Sequence, residues 1–180
     1  MQRVPNADFA PDLKKRLEEL WGSPPNLYRA LANHPALAAA WTEFARAIRY
    51  ESRNPRELRE LMILRGAQVM GSEYEWAQHL RMARKAGVRE AQIAALPDWR
   101  NSAQFSEREK AALALAEAVT RADVSDAVYA EASKHFGHQD FVELALTAAF
   151  YAMVGRMLDA MRVQLEPDAR DYAPRLPART

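Results

Sequence analysis

Two acids and one histidine stand at helical spacing in an otherwise apolar part of the chain. Glu75 and His79 are four residues apart, so they share one face of a helix. Glu60 lies on the preceding helical segment, close enough in sequence to return against that face. Because burial of ionisable groups is costly, a functional site is the leading explanation for them. A histidine held by a carboxylate can take up and release a proton near neutral pH, so the three residues predict proton-transfer chemistry.

Two other interpretations of these residues remain open from the sequence. Glu75 and His79 could form a surface pair that contributes only a few tenths of a kcal/mol. Together with Glu60 they could also bind zinc, iron or manganese, which carboxylate and imidazole groups ligate. The Glu-x-x-x-His spacing differs from the Glu-x-x-His of helical di-iron proteins, and the other histidines stand far along the chain, at positions 34, 135 and 138. We therefore predict no metal.

Composition narrows the class of protein. The chain has 180 residues with 25 basic and 24 acidic side chains, so neither nucleic acid nor an anionic membrane is an expected partner. Cysteine is absent, which excludes disulfides, thiolate metal sites and a cysteine nucleophile. No secretory signal is evident, and the strongly apolar uncharged run 144–155 is too short to span a bilayer. We expect a soluble, cytoplasmic protein.

The positions of apolar residues, prolines and glycines predict an all-α fold. Asn54 is the expected N-cap of the helix that carries Glu60, and Gly87 is expected to end the helix that carries His79. Ser106 and Glu109 form a capping box. Three prolines predict an extended tail over 166–180. The predicted helices cover about 12–20, 26–33, 35–50, 55–70, 73–85, 89–96, 106–121, 125–136 and 138–164.

Two of these helices are apolar on almost every side. The helix after Asn54 has apolar or small residues at most positions from Leu61 to Met70, so it is expected to be buried. Glu60 would then be directed into low-dielectric surroundings, where it needs a partner. The helix at 142–161 is expected to lie in the core or at a subunit interface.

The motif region, 55–96, resembles the carboxymuconolactone decarboxylase family, whose superfamily includes alkyl hydroperoxidase D. The matching pattern is Arg-Glu-Leu, an apolar run, then Tyr-Glu-Trp-x-x-His-x-x-x-Ala-x-x-x-Gly-Val, which ends at Val88. The resemblance implies an alkyl hydroperoxidase D-like helical bundle and a homo-oligomer, a trimer or hexamer. The family core would cover about 35–165 of a single domain, 1–165, with an N-terminal helical extension.

The resemblance also implies a chemistry for the site. The peroxidase branch uses a glutamate, a Cys-x-x-Cys pair and a histidine; Glu60 and His79 match the first and last, while Ser72 and Glu75 stand at the cysteine positions. Without cysteine, peroxide reduction through a disulfide cannot operate. The decarboxylase branch needs neither metal nor organic cofactor. It would use His79 as general acid and base, with Glu60 and Glu75 orienting it and adjusting its pKa.

A small carboxylated lactone from aromatic catabolism is the substrate class that this lyase branch implies. Its carboxylate needs a cationic anchor, for which Arg65, Arg81 and Arg156 are the candidates. Tyr74 is a candidate for the pocket wall. The family's dedicated enzymes are shorter than this chain, which leaves the exact lactone open. A non-catalytic oligomeric module on the same fold is the remaining alternative, because a shared fold does not fix function.

Overall fold

A computed structural model describes residues 1–167, 169, 176 and 177 of the chain. The described residues form helices and contain no β-strand, which confirms the predicted all-α fold. The helices are α1 (Pro11–Trp21), α2 (Asn26–Leu31), α3 (Pro35–Tyr50), α4 (Arg56–Met70), α5 (Glu73–Ala86), α6 (Glu90–Ala95), α7 (Glu107–Arg121), α8 (Asp126–Ser133) and α9 (His138–Met161), with a 3₁₀ turn at Leu96–Asp98 between α6 and α7.

The described chain groups into two compact units. The first contains residues 1–52 and the described residues from 156 to 169. The second contains residues 53–155 with residues 176 and 177. Helix α9 runs through the division, so its residues up to Gly155 belong to the second unit.

The first unit is built from the N-terminal helices. Leu13 and Leu17 of α1 are buried together with Tyr28 of α2 and Ala38 of α3. Half-buried aromatic side chains, including Trp21, border this cluster. These helices therefore bury their own apolar faces within the unit.

The second unit is organised around α4. Every residue of α4 from Leu58 to Gln68 is buried, as its all-round apolar sequence predicts. On one side Leu61 and Leu64 pack in a cluster with Trp76 and Leu80 of α5. Another apolar cluster contains Leu58 and Met62 of α4 with side chains of α7 and α9, including Leu115, Leu144 and Ala148. A polar side chain on α4 is therefore held in a rigid, mostly apolar setting.

The start of α4 corrects one prediction, because Asn54 is not its N-cap. Pro55 occupies that position, and no side chain caps the helix. The backbone N–H and side-chain amide of Asn54 instead donate to Glu143 Oε1 of α9, at 2.9 and 3.1 Å, and its amide oxygen accepts from Arg108 at 3.2 Å. The turn before α4 is thus tied to α9 and α7, which a local sequence pattern does not reveal.

The other predicted helix ends are close to the observed ones. Gly87 ends α5 in the left-handed conformation, with φ of 104°. The Ser106–Glu109 capping box is present at α7. Pro167 and Ala169 are helical, and most of the predicted tail (168, 170–175 and 178–180) lies outside the described residues.

Helix α9 is the one described segment with the length and apolarity of a membrane-crossing helix. It has 24 residues, and half of its most apolar window is buried inside the protein, as in the core helices of soluble proteins. Its exposed apolar residues are Val142, Leu146 and Met153.

Candidate active site

A tight turn between α4 and α5 brings the predicted acid and histidine together. Gly71 adopts the left-handed conformation (φ 72°), and its N–H donates to the Gln68 carbonyl at 3.2 Å. The N–H of Ser72 donates to the Ala67 carbonyl at 2.9 Å, so the chain reverses within two residues. This hairpin returns His79 to the level of Glu60, nineteen residues earlier in the chain.

Glu60 and His79 form a buried pair. Glu60 Oε2 lies 2.7 Å from His79 Nδ1, and the two residues are 0% and 3% exposed. Since a carboxylate can only accept, Nδ1 carries hydrogen and donates to Glu60. In the neutral ring, Nε2 is then the basic nitrogen. The pair therefore holds an imidazole in one tautomer with its second nitrogen set to accept a proton.

Arg56 completes the pair on its outer side. Its guanidinium forms an ion pair with Glu60 Oε1, one helical turn along α4. Its side chain is 28% exposed, and Nη2 also lies 3.9 Å from the sulfur of Met82, which is half-buried. Arg56 is thus the member of this group that reaches toward solvent, while Glu60 and His79 lie behind it.

Helix α9 supplies an aromatic wall. The Tyr151 ring lies edge-on to the His79 imidazole, with ring centroids 4.7 Å apart. Phe150 packs against Tyr151 at 5.3 Å, and both are buried. Edge-to-face packing of this kind fixes the plane of the imidazole in addition to the hydrogen bond from Nδ1.

Arg59 is a further cation near this group, and unlike Arg56 it is buried. Its Nε donates to the Asn54 carbonyl at 3.2 Å. Burial, followed by the positive charge of Arg56, lowers the pKa of Arg59 from its usual value, while the negative charges around it, including Glu143, oppose the change. Arg59 thus links the turn before α4 to the charged groups of the site, Arg56 and Glu60.

Glu75 is buried in a different way from Glu60. It is 2% exposed, and neither carboxyl oxygen has a hydrogen-bond partner. Burial raises the pKa of Glu75 from 4.5 to about 8, with the nearby Ser72 hydroxyl acting in the opposite direction without outweighing it. At neutral pH the group is therefore mostly a neutral carboxylic acid, one helical turn before His79.

Several residues missed in the sequence belong to this site. Arg56 stands four residues before Glu60, and that helical spacing was a signal that could have identified it. Tyr151 carried no such signal, because it lies more than seventy residues away from His79 and only the packing of α9 joins them.

Arg65 lies in a separate buried cluster. Its guanidinium donates to Glu117 Oε2 at 2.7 and 3.1 Å and to the Gln68 side chain at 2.6 Å. The indole N–H of Trp99 also donates to this carboxylate, at 3.3 Å. Burial acts to raise the pKa of Glu117, but the Arg65 hydrogen bond and charge, with the charge of Arg100, hold it below its usual value. The structure thus gives Arg65 a role in linking α4 to α7.

The other predicted binding residues lie nearer the surface than the buried pair. Arg81 and Arg156 are exposed, and Tyr74 is half-buried. Among the described residues, no three histidine or acidic side chains come together in a way that could hold a metal ion. Glu60 is instead occupied by Arg56 and His79.

Part of the chain is similar to a known protein family. Residues 35–118 match the model of the carboxymuconolactone decarboxylase family. The uncharacterized protein YdfG of Bacillus subtilis (strain 168) is 34% identical over 94 residues, which are 51% of this chain and 64% of that protein. The match therefore spans less than two thirds of that relative.

Solved structures share the fold at low identity. A cysteine-to-alanine variant of the debrominase Bmp8, in complex with 2,3,4-tribromopyrrole, superposes with a TM-score of 0.83 at 23% identity, over 93% of this chain and 94% of that one. An alkylhydroperoxidase AhpD core protein from Ralstonia eutropha JMP134, an uncharacterized peroxidase-related protein, gives 0.80 at 18% identity with the same coverage. These likenesses establish an AhpD-like helical fold. The segment 35–118 is similar to the carboxymuconolactone decarboxylase family, and the chain lacks the cysteine pair.

Proposed function

We propose that this protein is a cofactor-independent lyase that removes carbon dioxide from a small carboxylated lactone of aromatic catabolism. The observation that carries the proposal is the buried Glu60–His79 pair, with 2.7 Å between Oε2 and Nδ1, on the family's fold. Such a pair can transfer protons without a metal or an organic cofactor.

The reaction suits this pair. When the bond between the lactone carbon and its carboxylate breaks, carbon dioxide leaves and the electron pair passes into the conjugated lactone as a dienolate. The same skeleton then takes up one proton at carbon, giving the enol-lactone. His79 relays protons in this reaction as general acid and base, and Glu60 fixes its tautomer and stabilises its charged form. The tight packing of Tyr151 keeps the imidazole from rotating.

The substrate's carboxylate needs a cation near this pair. Of the three arginines selected from the sequence, Arg65 is engaged with Glu117, and Arg81 and Arg156 are exposed. Arg56 lies closer to the chemistry, because it contacts Glu60 directly and is partly open to solvent. We therefore assign Arg56 the anchoring role, since guanidinium forms strong charge-assisted hydrogen bonds with carboxylates.

The other functions of the superfamily have less support. A cysteine-dependent peroxidase needs thiols that this chain does not contain. A metal-dependent reaction lacks a three-residue ligand cluster among the described residues. A non-catalytic module would not require an imidazole held in one tautomer beside a neutral acid.

We also propose that the protein works as a cytoplasmic homo-oligomer, a trimer or hexamer. The apolar residues exposed on α9, Val142, Leu146 and Met153, are 56%, 45% and 38% exposed. Burial of such a stripe against other copies would remove it from water. Sedimentation of the purified protein over a range of concentrations measures the oligomer directly.

The test of the function is a lactone panel. Purified, untagged protein is incubated with carboxymuconolactone and related carboxylated lactones, and carbon dioxide and enol-lactone are measured. Turnover that is lost in His79→Ala and retained in His138→Ala, which changes an exposed histidine, supports the proposal. Elemental analysis of the same sample, and activity after chelation, decide between it and a metal site. No turnover of any lactone in the panel overturns it.

A further inference from the structure

The chain contains two Ser-x-x-Glu sequences at helix starts, and only one of them behaves as a capping box. At α7, Glu109 Oε2 accepts from the backbone N–H of Ser106 at 2.7 Å, which closes the box. At α5, the Ser72 hydroxyl accepts from the Glu75 N–H at 3.5 Å, but the Glu75 carboxyl does not return the bond. Glu75 therefore faces the interior of the unit, although its sequence position favours a cap.

The backbone shows why the box at α5 stays open. The N–H of Ser72, which Glu75 would otherwise accept from, already donates to the Ala67 carbonyl at 2.9 Å. The turn that brings α5 back along α4 thus consumes the donor. Glu75 is left with both oxygens buried and without a partner, which is a cost that a purely structural residue would avoid.

The wall beside Glu75 is shaped to admit its carboxyl. A Cβ atom at Gly155 of α9 would lie only 2.6 Å from Glu75 Oε2 and 2.7 Å from Met70 Cε. Glycine at this position therefore makes room for the acid and for the end of the methionine. Met70 is half-buried, and its unbranched thioether chain can adapt to the shape of this wall.

Among the described residues, the titratable groups near Glu75 include a base but no other neutral carboxylic acid that the structure identifies. On α5 itself, His79 follows one turn later, with its Nδ1 hydrogen committed to Glu60 of α4. Tyr151 of α9 packs against the other side of the imidazole. At rest, His79 presents a basic Nε2, so it accepts a proton but has none to donate there. Among these groups, resting His79 is therefore a base. The group that can donate a proton is the neutral carboxyl of Glu75.

We propose that Glu75 is held as a neutral carboxylic acid and donates the proton that the substrate carbon receives after carbon dioxide leaves. The new C–H bond takes the proton of the Glu75 carboxyl, and the electron pair of the broken O–H bond stays on Glu75 as carboxylate. One proton from solvent, relayed by His79, restores the acid, so each turnover consumes one substrate carboxylate and one proton. This role rests on the proposed function and assigns the acid of that same site.

A spectroscopic experiment tests the stored acid without any substrate. The full chain is labelled with ¹³Cδ glutamate, and its carboxyl resonances are followed by NMR from about pH 4 to 10. We expect one resonance that titrates well above the others, near the value of about 8 to which burial raises the pKa of Glu75. It should vanish in Glu75→Gln and remain in Glu109→Gln, the matched change at the closed capping box. A Glu75 resonance that titrates with the other acids overturns the inference.

A kinetic experiment with a lactone turned over in the panel tests the donation. Glu75→Gln keeps the shape and loses the acidic proton, so kcat should fall about 10²- to 10⁴-fold with little change in KM. The wild-type rate should also fall as pH rises through about 8, and this limb should be missing from the residual activity of the variant. Unchanged kcat in Glu75→Gln overturns the donor role. If no lactone is turned over, the proposed function and the donor role fail together, while the NMR titration still decides whether Glu75 is stored as the acid.

Discussion

The buried carboxyl of Glu75 makes a prediction about stability that does not depend on substrate. Its pKa is 4.5 in an unfolded chain and about 8 in the folded protein, so the folded state holds the proton more tightly. The contribution of Glu75 to the free energy of unfolding is then greatest at low pH and falls as pH rises from 4.5 through about 8. Glu75→Gln removes this titration, because glutamine stays neutral throughout.

The size of the effect follows from the shift. The full difference corresponds to about 5 kcal/mol at roughly 1.4 kcal/mol per pH unit, and about 3 to 4 kcal/mol of it falls between pH 5 and pH 8. Because Glu75 is 2% exposed, solvent screening reduces this figure little. The stability of Glu75→Gln relative to wild type should therefore rise by about 3 to 4 kcal/mol from pH 5 to pH 8.

Urea denaturation at closely spaced pH values measures this difference. The quantity compared is the change in the free energy of unfolding with pH. A constant cost of burying an amide shifts the free energy of the variant equally at every pH, so it does not affect this comparison. Glu109→Gln is the matched control, and its difference from wild type should stay constant over the same range. A Glu75→Gln difference that also stays constant would refute the reasoning that Glu75 is neutral in the folded protein.

Two further predictions concern the surroundings of the site. Glu117→Ala leaves the buried Arg65 without its carboxylate and should lower the free energy of unfolding by about 3 to 5 kcal/mol, measured by urea denaturation; a loss below 1 kcal/mol would contradict this role. Gly155→Ala places a methyl group against Glu75 and should cost about 1 to 3 kcal/mol by the same measurement, together with a loss of turnover. Gly137→Ala, where a Cβ meets nothing within 4 Å, is its control; it should leave turnover unchanged and cost at most about 1 kcal/mol, the penalty of alanine at the N-cap of α9. An equal effect of the two alanines would contradict the close fit at Gly155.

Local patterns in the sequence were sufficient for most of the fold. Helical periodicity located the helices, and Gly87 and the Ser106–Glu109 box marked two of their ends. The all-round apolar sequence of α4 indicated that the helix is buried, which the structure confirms. These features depend on residues only a few positions apart, so one sequence carries them.

Local sequence patterns also predicted part of the candidate site. The pairing of Glu60 with His79 follows from two helices joined by a short turn, and the structure shows it. The roles of Arg65 and Asn54 were beyond reach, because their partners, Glu117 and Glu143, lie more than fifty residues away. Tertiary contacts of this kind override local propensity, and no spacing rule predicts them.

The different charge states of Glu60 and Glu75 could be assigned only from the structure. Glu60 and Glu75 each stand on an apolar helix face, and in the sequence they look alike. Only the packing shows that Glu60 is held as a carboxylate by Arg56 and His79, whereas Glu75 has no partner and remains protonated at neutral pH. The assignment of base and acid rests on that contrast.

The most direct test of the account is the rate of carbon dioxide release from carboxymuconolactone by wild type and His79→Ala, at neutral pH and with matched circular dichroism spectra. The account predicts turnover by wild type, a loss of about 10²- to 10⁴-fold in kcat/KM for His79→Ala, and an unchanged rate for His138→Ala. Equal rates of wild type and His79→Ala would contradict the claim that the Glu60–His79 pair takes part in the proton transfer.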